Sequence, residues 1–467
     1  MLASEVSPLA KTGGLADVME GLPKALAQEH TVAVFLPCYG KIKHDPACRT
    51  ELLAEFSVGL GWRHQYAGLH RLQTGRENPE IYLVDNAYYF DRPSLYGYWD
   101  DAERFAFFSR AVLDALAVLH WQPDVLHAHD WQAAPSMIFL QAWYREVFPG
   151  LRSVLTIHNI EYQGWAYGSF FDDVLGLPEE LRQTVCLTGG VNLLKGGILC
   201  ADLVTTVSET YAREIRYAYF AHGLEQVLSE CWYKLRGVTN GIDQERFNPK
   251  TDRFLAQRYG PADWQAGKAA NKAALQEQLG LTQSQAPLLA VVSRLAGHKG
   301  MELLLYSAPA ILQQEVQLVV AGTGEAGLEE RFRALAAAYP GWVSVQIGFD
   351  PGLASRIYGA ADVFLMPSRS EPCGLSQLYA MRYGAVPVVH AVGGLRDTVP
   401  PAEEGGLGFT FRSYNGEDFA DAVSRCLALR QDWPGWCALV ERGMTRDFSW
   451  KLPAQRYVAL YQGQMGD

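Results

Sequence analysis

Short β-branched and apolar runs alternate with longer helical stretches along nearly the whole chain. The first set is TVAVFLP at 31, IYLVD at 81, DVLHAHD at 124, SVLTIHN at 153 and DLVTTVS at 202. Brief, almost continuously apolar runs separated by helix-length segments predict βαβ units, a parallel sheet covered on both faces. The pattern pauses after GVTNGID (237–243) in a polar, helix-prone stretch. It restarts with PLLAVVS at 287, VQLVVAG at 316, VSVQIGF at 343, DVFLMPS at 362 and AVPVVHAV at 385. Two Rossmann-like doubly wound domains follow, with the join near 238–250. The last stretch, FSWKLPAQRYVALYQGQ, reads as an aromatic-rich helix. MLASEV sets Met1 almost at the first loop, so either the first strand is clipped or the fold begins without a full one.

Length agrees with this division, since 467 residues exceed one ordinary core and about 150 residues per domain gives two or three. A formal net charge of −11 provides no broad basic footprint and argues against a nucleic-acid partner. Any anion must be met locally. The eight cysteines are scattered, without a C-x-x-C pair or zinc spacing, which points to a reducing, cytoplasmic setting. No apolar stretch approaches the roughly 20 residues of a membrane span, and no signal-peptide pattern opens the chain.

Ligands of open α/β sheets sit beyond the carboxyl ends of the strands, so the chemistry is sought there, in a cleft between the two domains. KTGGLADVMEGLPKAL (11–26) is a Gly13-Gly14 turn running into a helix, with Lys11 beside it. It is either a phosphate seat at a helix N-terminus or a tight turn that glycine permits. LHAHDWQAA ends a strand with His127, His129 and Asp130. Only the two histidines share a face and no third ligand is evident, so a metal site is not expected. Asp130 suits hydrogen bonds from a hydroxyl-rich substrate. TIHN ends the next run with His158 and Asn159, aimed toward the same cleft.

In the second half, SRLAGHKG places Arg294 and Lys299 on one loop, where a guanidinium fork and a point charge can both reach a diphosphate. AGTGEAG (321–327) fits G-x-G-x-x-G, but it follows the second strand of its domain, and no acidic residue ends the next strand at the proper place. A nicotinamide site is rejected. In SRSEPCGLSQL (368–378), Glu371 precedes a predicted helix whose first amides are those of Gly374 and Leu375. The carboxylate either accepts sugar hydroxyls while the amides hold phosphate, or complements the helix dipole. VGGLRDTV adds a second turn, Gly393-Gly394.

Taken in order, SEVSPLAKTGGLADV, YFDRPSLYG, AERFAFFSRA, HAHDW, TIHN, LLKGGILCADLVTTVS, VTNGID, SRLAGHKG, SRSEPCGLSQLYAMRYG and GGLRDTV resemble bacterial glycogen synthases and plant starch synthases. These are retaining glucosyltransferases of the GT-B fold, two domains facing each other across a cleft. The resemblance implies transfer of glucose from ADP-glucose to the non-reducing end of an α-1,4-glucan such as glycogen. It implies that no metal or cofactor takes part. It implies that residues 1–240 form the acceptor side and 241–445 the nucleotide-sugar side. Residues 446–467 would form a helix crossing back to the first domain. Lys11, Gly13, Gly14, Gly374, Leu375, Gly393 and Gly394 would bind the donor. Arg294 and Lys299 would neutralise the departing ADP, and Glu371 would hold the glucose hydroxyls. Asp130, His158, Asn159 and Asn240 would line the sugar and acceptor side, with Tyr96 near them. The chain departs from the family at Ser370 (usually aromatic), Val392 (usually Thr) and Asp101 (usually Asn).

Overall fold

The computed structural model describes residues 1–464 except 74, 76, 77 and 349, so the last three residues of the expected C-terminal segment lie outside the described residues. The chain divides into two compact units, one of residues 1–241 with 450–467, the other of residues 242–449.

The first unit carries β1 (Ala33–Pro37), β2 (Thr50–Leu60), β3 (Arg63–Leu72), β4 (Glu80–Asp85), β5 (Val125–His129) and β6 (Arg152–Ile157). After them come β7 (Trp165–Ala166), β8 (Cys186–Leu187), β9 (Gly190–Asn192), β10 (Leu203–Thr206) and β11 (Leu235–Gly237). Two four-stranded arrays form, β11-β10-β6-β5 and β1-β4-β3-β2, and β7-β9-β8 make a small separate sheet. Leu2 joins the arrays, bridging Ala128 on one side and Phe35 on the other. Its amide donates to His127 O at 2.8 Å and its carbonyl accepts from the His129 amide at 3.0 Å. A single bridging residue thus stands in place of a full first strand, and the chain leaves it directly into the loop that carries Glu5 and Lys11.

All five expected strands of this half form, and β1, β4, β5, β6 and β10 pair in parallel where they meet. The antiparallel hairpin β2–β3 was not expected. Its apolar positions, such as Phe56, Val58 and Leu60, alternate with Glu55, Ser57 and Gly59, the two-residue period of a strand with one covered face.

The second unit holds β12 (Leu288–Val292), β13 (Gln317–Gly322), β14 (Val343–Ile347), β15 (Val363–Met366), β16 (Val386–His390) and β17 (Phe409–Phe411). They form one parallel sheet in the order β14-β13-β12-β15-β16-β17. Five were expected and β17 was not. Connections run from β12 outward to β13 and β14 on one side, then return to β15 on the other. The topological switch point therefore lies between β12 and β15, where parallel neighbours diverge and leave a crevice. In the first unit the same reversal falls at Leu2, with β1 on one side and β5 on the other.

Each unit has its own apolar core. The last helix, Lys451–Tyr461, lies in the first unit, where Trp450, Ala454, Tyr457 and Leu460 pack on Val18, Leu22, Leu26 and Leu203.

Candidate active site

The loops at the two switch points carry most of the candidate residues, so these form two clusters, one per unit. In the first unit the helix Gly14–Leu26 begins where expected, with Gly13 as its N-cap. A buried carboxylate already sits against this turn. Glu5 accepts from the Thr12 amide at 2.5 Å, the Gly13 amide at 3.1 Å and the Thr12 hydroxyl at 2.6 Å. The Tyr96 hydroxyl donates to Glu5 at 2.9 Å and also meets Ser4 Oγ at 2.7 Å. The phosphate-seat expectation is corrected to this extent: the Gly13 amide is used by Glu5, and Tyr96 braces that carboxylate. Gly14 starts the helix, so its amide is one of those the helix itself leaves unsatisfied. Lys11 pairs with Asp17 at 2.5 Å.

Glu5 escaped the sequence reading because one acid in SEVS follows no period. The signal that could have found it is its place on the same loop as two consecutive turn amides needing an acceptor. Substituting Glu5→Gln leaves shape but removes charge from these bonds, each worth about 1.5 to 3 kcal/mol. Hydrogen exchange at the Thr12 and Gly13 amides is expected to quicken about tenfold or more, while amides of β6 stay protected.

Asp101 explains one departure from the family. One carboxylate oxygen pairs with buried Arg104 and the other accepts from the amides of Gly97 and Tyr98. An asparagine would offer one oxygen for these partners. The Tyr96 loop is therefore anchored by a charge at its base.

Strands β5 and β6 run in parallel with His129 beside Thr156, which brings their ends together. His129 Nδ1 lies 2.9 Å from His158 Nε2. The rings of His127 and His129 stack at 4.2 Å, and His127 is held by the Tyr461 hydroxyl at 2.7 Å and Thr156 Oγ1 at 2.6 Å. Burial pushes all three imidazoles well below their ordinary range, His158 to about 3. They are neutral at physiological pH. No group of three His, Cys, Asp or Glu side chains suited to a metal occurs among the described residues.

Asp130 stands just past β5 with φ 59°, a left-handed turn, and its carboxylate meets the segment that leaves β6. It accepts from the His158 amide at 2.6 Å and the Asn159 amide at 3.4 Å. Burial raises its pKa to about 7, against the lowering effect of those amides, and nearby Glu5 adds repulsion. Asn159 turns its own Oδ1 to the Glu161 amide at 3.0 Å. Asn240 is buried and its Oδ1 has no partner among the described residues.

The raised Asp130 pKa has a defined sign. Between the ordinary carboxylate value near 4 and about 7 the folded protein holds a proton that the unfolded chain has lost, so this stabilising contribution disappears as pH rises through that window. Relative to the parent, Asp130→Asn is expected to gain roughly 1 to 3 kcal/mol between about pH 5 and about pH 8, read from urea unfolding. The neutral histidines act oppositely. Their contribution is present above the ordinary imidazole value near 6.5 and is lost on acidification.

In the second unit, the loops after β12 and β15 are laced together. The Arg369 amide donates to His298 O at 2.9 Å. Gly300, at φ 74°, lies so close to Pro367 that a Cβ would fall 1.9 Å from its carbonyl oxygen. This places Lys299 Nζ 2.7 and 2.9 Å from the two oxygens of Glu371, which is buried and also accepts from Ser368 Oγ at 3.1 Å. Arg294 is exposed, and its guanidinium has no partner among the described residues. The first two glycines of AGTGEAG serve the same loop. A Cβ on Gly322 would meet Ser293 O at 1.8 Å and one on Gly324 would meet Leu295 O at 2.0 Å.

Three expectations about this cluster need correction. The helix after Glu371 begins only at Ser376 and ends at Arg382, so Gly374 and Leu375 precede it as turn and N-cap. Gly374 takes φ 70°, which breaks the helical run. The Gly394 amide is spent on the carbonyls of Glu371 and Pro372, both at 3.1 Å, and so is not a free phosphate donor. A Cβ on Gly393 would lie 2.0 Å from Glu371 O, so this Gly-Gly turn buttresses the Glu371 segment. Val392, another departure, is the buried N-cap of the helix Gly393–Thr398.

Similarity to known proteins agrees with this layout. Residues 1–230 match the family described as starch synthase catalytic domain, and residues 275–432 match glycosyl transferases group 1. Glycogen synthase of Exiguobacterium sibiricum is 44% identical across 98% of this chain and 97% of that protein. Glycogen synthase of Clostridium beijerinckii is 43% identical across 100% and 98%. Among solved structures, the catalytic domain of starch synthase IV from Arabidopsis thaliana, bound to ADP and acarbose, superposes with a TM-score of 0.91. It is 33% identical and the match covers 99% of this chain and 98% of that one. The fold is GT-B, and the chain belongs to the glycogen and starch synthase family of glucosyltransferases.

Proposed function

We propose that the chain transfers glucose from ADP-glucose to the non-reducing end of an α-1,4-glucan such as glycogen, with retention of the α configuration. The observation that carries this reading is the Lys299–Glu371 pair at the switch point of the second unit, with the exposed Arg294 on the same loop. Residues 241–445 take the nucleotide sugar. Arg294 forks onto the diphosphate and Lys299 neutralises charge as the glycosidic bond breaks, a role that needs no metal. Glu371 accepts hydrogen bonds from glucose hydroxyls. The relative from Arabidopsis, bound to ADP and acarbose, supports an adenine nucleotide as leaving group.

Residues 1–240 supply the acceptor side. The helix start at Gly14 and the Lys11 ammonium would meet a phosphate or sugar oxygen. Asp130, His158, Asn159 and Asn240 present polar atoms to the sugars. Glu371, engaged by Lys299 and Ser368, is suited to hydrogen bonding more than to attack on the sugar. Retention then follows from acceptor attack on the face from which ADP departs, the leaving phosphate taking the acceptor's proton. No helix among the described residues is long and apolar enough to cross a membrane. The eight thiols, none joined to another, fit a reducing cytoplasm.

The test is ADP release from ADP-glucose with and without glycogen, repeated with UDP-glucose as competitor. Glycogen-dependent release that excess UDP-glucose leaves unchanged supports the reading. Absence of glycogen-dependent release overturns it, and equal use of both donors overturns the choice of nucleobase.

A further inference from the structure

The ends of β5 and β6 set two imidazoles edge to edge, His129 Nδ1 and His158 Nε2 at 2.9 Å. Only one proton lies between two such nitrogens, and its owner decides what His158 offers at its other nitrogen. The surroundings of His129 supply the answer. Its ring is fully buried and its Nε2 has no hydrogen-bond partner among the described residues. His127 cannot provide one, because it stacks face to face on His129 and both its own nitrogens are taken by Tyr461 and Thr156.

A neutral imidazole carries one N–H. Were it at Nε2 of His129, a sealed donor would be orphaned while Nδ1 accepted. With the N–H at Nδ1 the orphan is a lone pair, and buried groups left without a partner are less often donors than acceptors. His129 therefore donates from Nδ1 and His158 Nε2 accepts. His158 is neutral too, so its proton resides on Nδ1. That nitrogen has no partner among the described residues, and His158 is only half-buried. Burial, which pushes both imidazoles below their ordinary range, keeps this assignment intact near neutral pH.

We propose that His129 is a positioning residue that fixes His158 as the Nδ1–H tautomer, so that His158 presents a hydrogen-bond donor to a hydroxyl oxygen of the sugar. The sugar as its target rests on the function proposed above; the tautomer does not. An acceptor hydroxyl facing His158 must then spend its own proton elsewhere, and the carboxylate of Asp130, tied to the His158 amide, lies on the adjoining turn.

The direct test is nitrogen NMR of the full chain labelled with 15N-histidine, only eleven residues being visible. His158→Gln and His129→Asn identify the two sets of signals. The expected result is a protonated Nδ1 and a bare Nε2 on His158, unchanged between about pH 6 and pH 8. A proton on Nε2 of His158 overturns the proposal without any appeal to activity.

Kinetics give the second arm. In His129→Asn the side-chain amide stands where Nδ1–H stood, so kcat is expected to stay within about threefold, whereas His129→Leu, of equal thermal stability, loses about tenfold or more. Equal loss in both variants overturns the positioning role. If the tautomer is as stated but the parent transfers no glucose, the assignment of protons stands and the sugar as target falls.

Discussion

Lys299→Ala is expected to lower kcat for glucosyl transfer by about a hundred- to a thousandfold while the protein remains folded. The ammonium is the positive charge fixed beside Glu371, and removing one preorganised group that stabilises charge in a transition state costs roughly that factor. Stability responds differently. Losing the lysine leaves a buried carboxylate with Ser368 as its one side-chain partner among the described residues, so unfolding of the second unit becomes easier by roughly 2 to 4 kcal/mol. Glu371→Gln should be destabilised less, because Lys299 keeps some contact with water. The double variant Lys299→Met with Glu371→Met separates the two effects. Its unfolding free energy is expected to recover much of the loss, since no charge is left uncompensated, whereas its transfer rate stays as low as that of the worse single variant. Recovery of both quantities would mean that the pair holds the loops and takes no part in transfer.

Gly300→Ala is expected to destabilise the second unit by about 3 kcal/mol or more. Two causes combine: φ of 74° is unfavourable for an L-residue, and the added carbon would fall 1.9 Å from a backbone carbonyl that cannot rotate away. For a unit of this size each kcal/mol moves the unfolding midpoint by about 2 to 4 °C. Calorimetry should show the second unit melting roughly 6 to 12 °C lower, with the first unit unmoved. Gly297→Ala is the control on the same loop, since nothing lies within 4 Å of its added carbon. It is expected to stay within about 0.5 kcal/mol of the parent. Turnover should fall with Gly300→Ala, because the glycine directly follows Lys299.

How much of this was legible follows from the periods involved. Apolar runs at 287, 316, 343, 362 and 385 became strands because residues buried on both faces leave a local mark in composition. The hairpin of residues 50–72 left a weaker mark, since one face is wet and its alternation is interrupted by a register shift between Leu52 and Ala54. Lys299 and Glu371 were each legible as strand-end residues. Their pairing was not, because it depends on β12 and β15 being neighbours, a fact of topology rather than of spacing. The Gly-Gly turns misled for a related reason. Glycine before a helix marks a close approach, and only the fold says whether the approaching group is a ligand or, as at Gly394, another stretch of backbone. Glu5 shows the converse: an anion seat can be occupied by the protein's own carboxylate.

The helix Lys451–Tyr461 belongs to the unit that begins the chain, with the whole second unit threaded between. On the ribosome the first sheet emerges early, yet the apolar patch of Val18, Leu22, Leu26, Val32 and Leu203 must wait for its cover. Roughly two hundred residues separate them, on the order of ten to forty seconds of translation. For that interval the nascent first unit is a sticky, half-closed body, and premature termination shortly before Trp450 would release it in that state. The protein's yield in cells is thus tied to its last few turns of helix, and chaperone supply should matter more for making it than for keeping it.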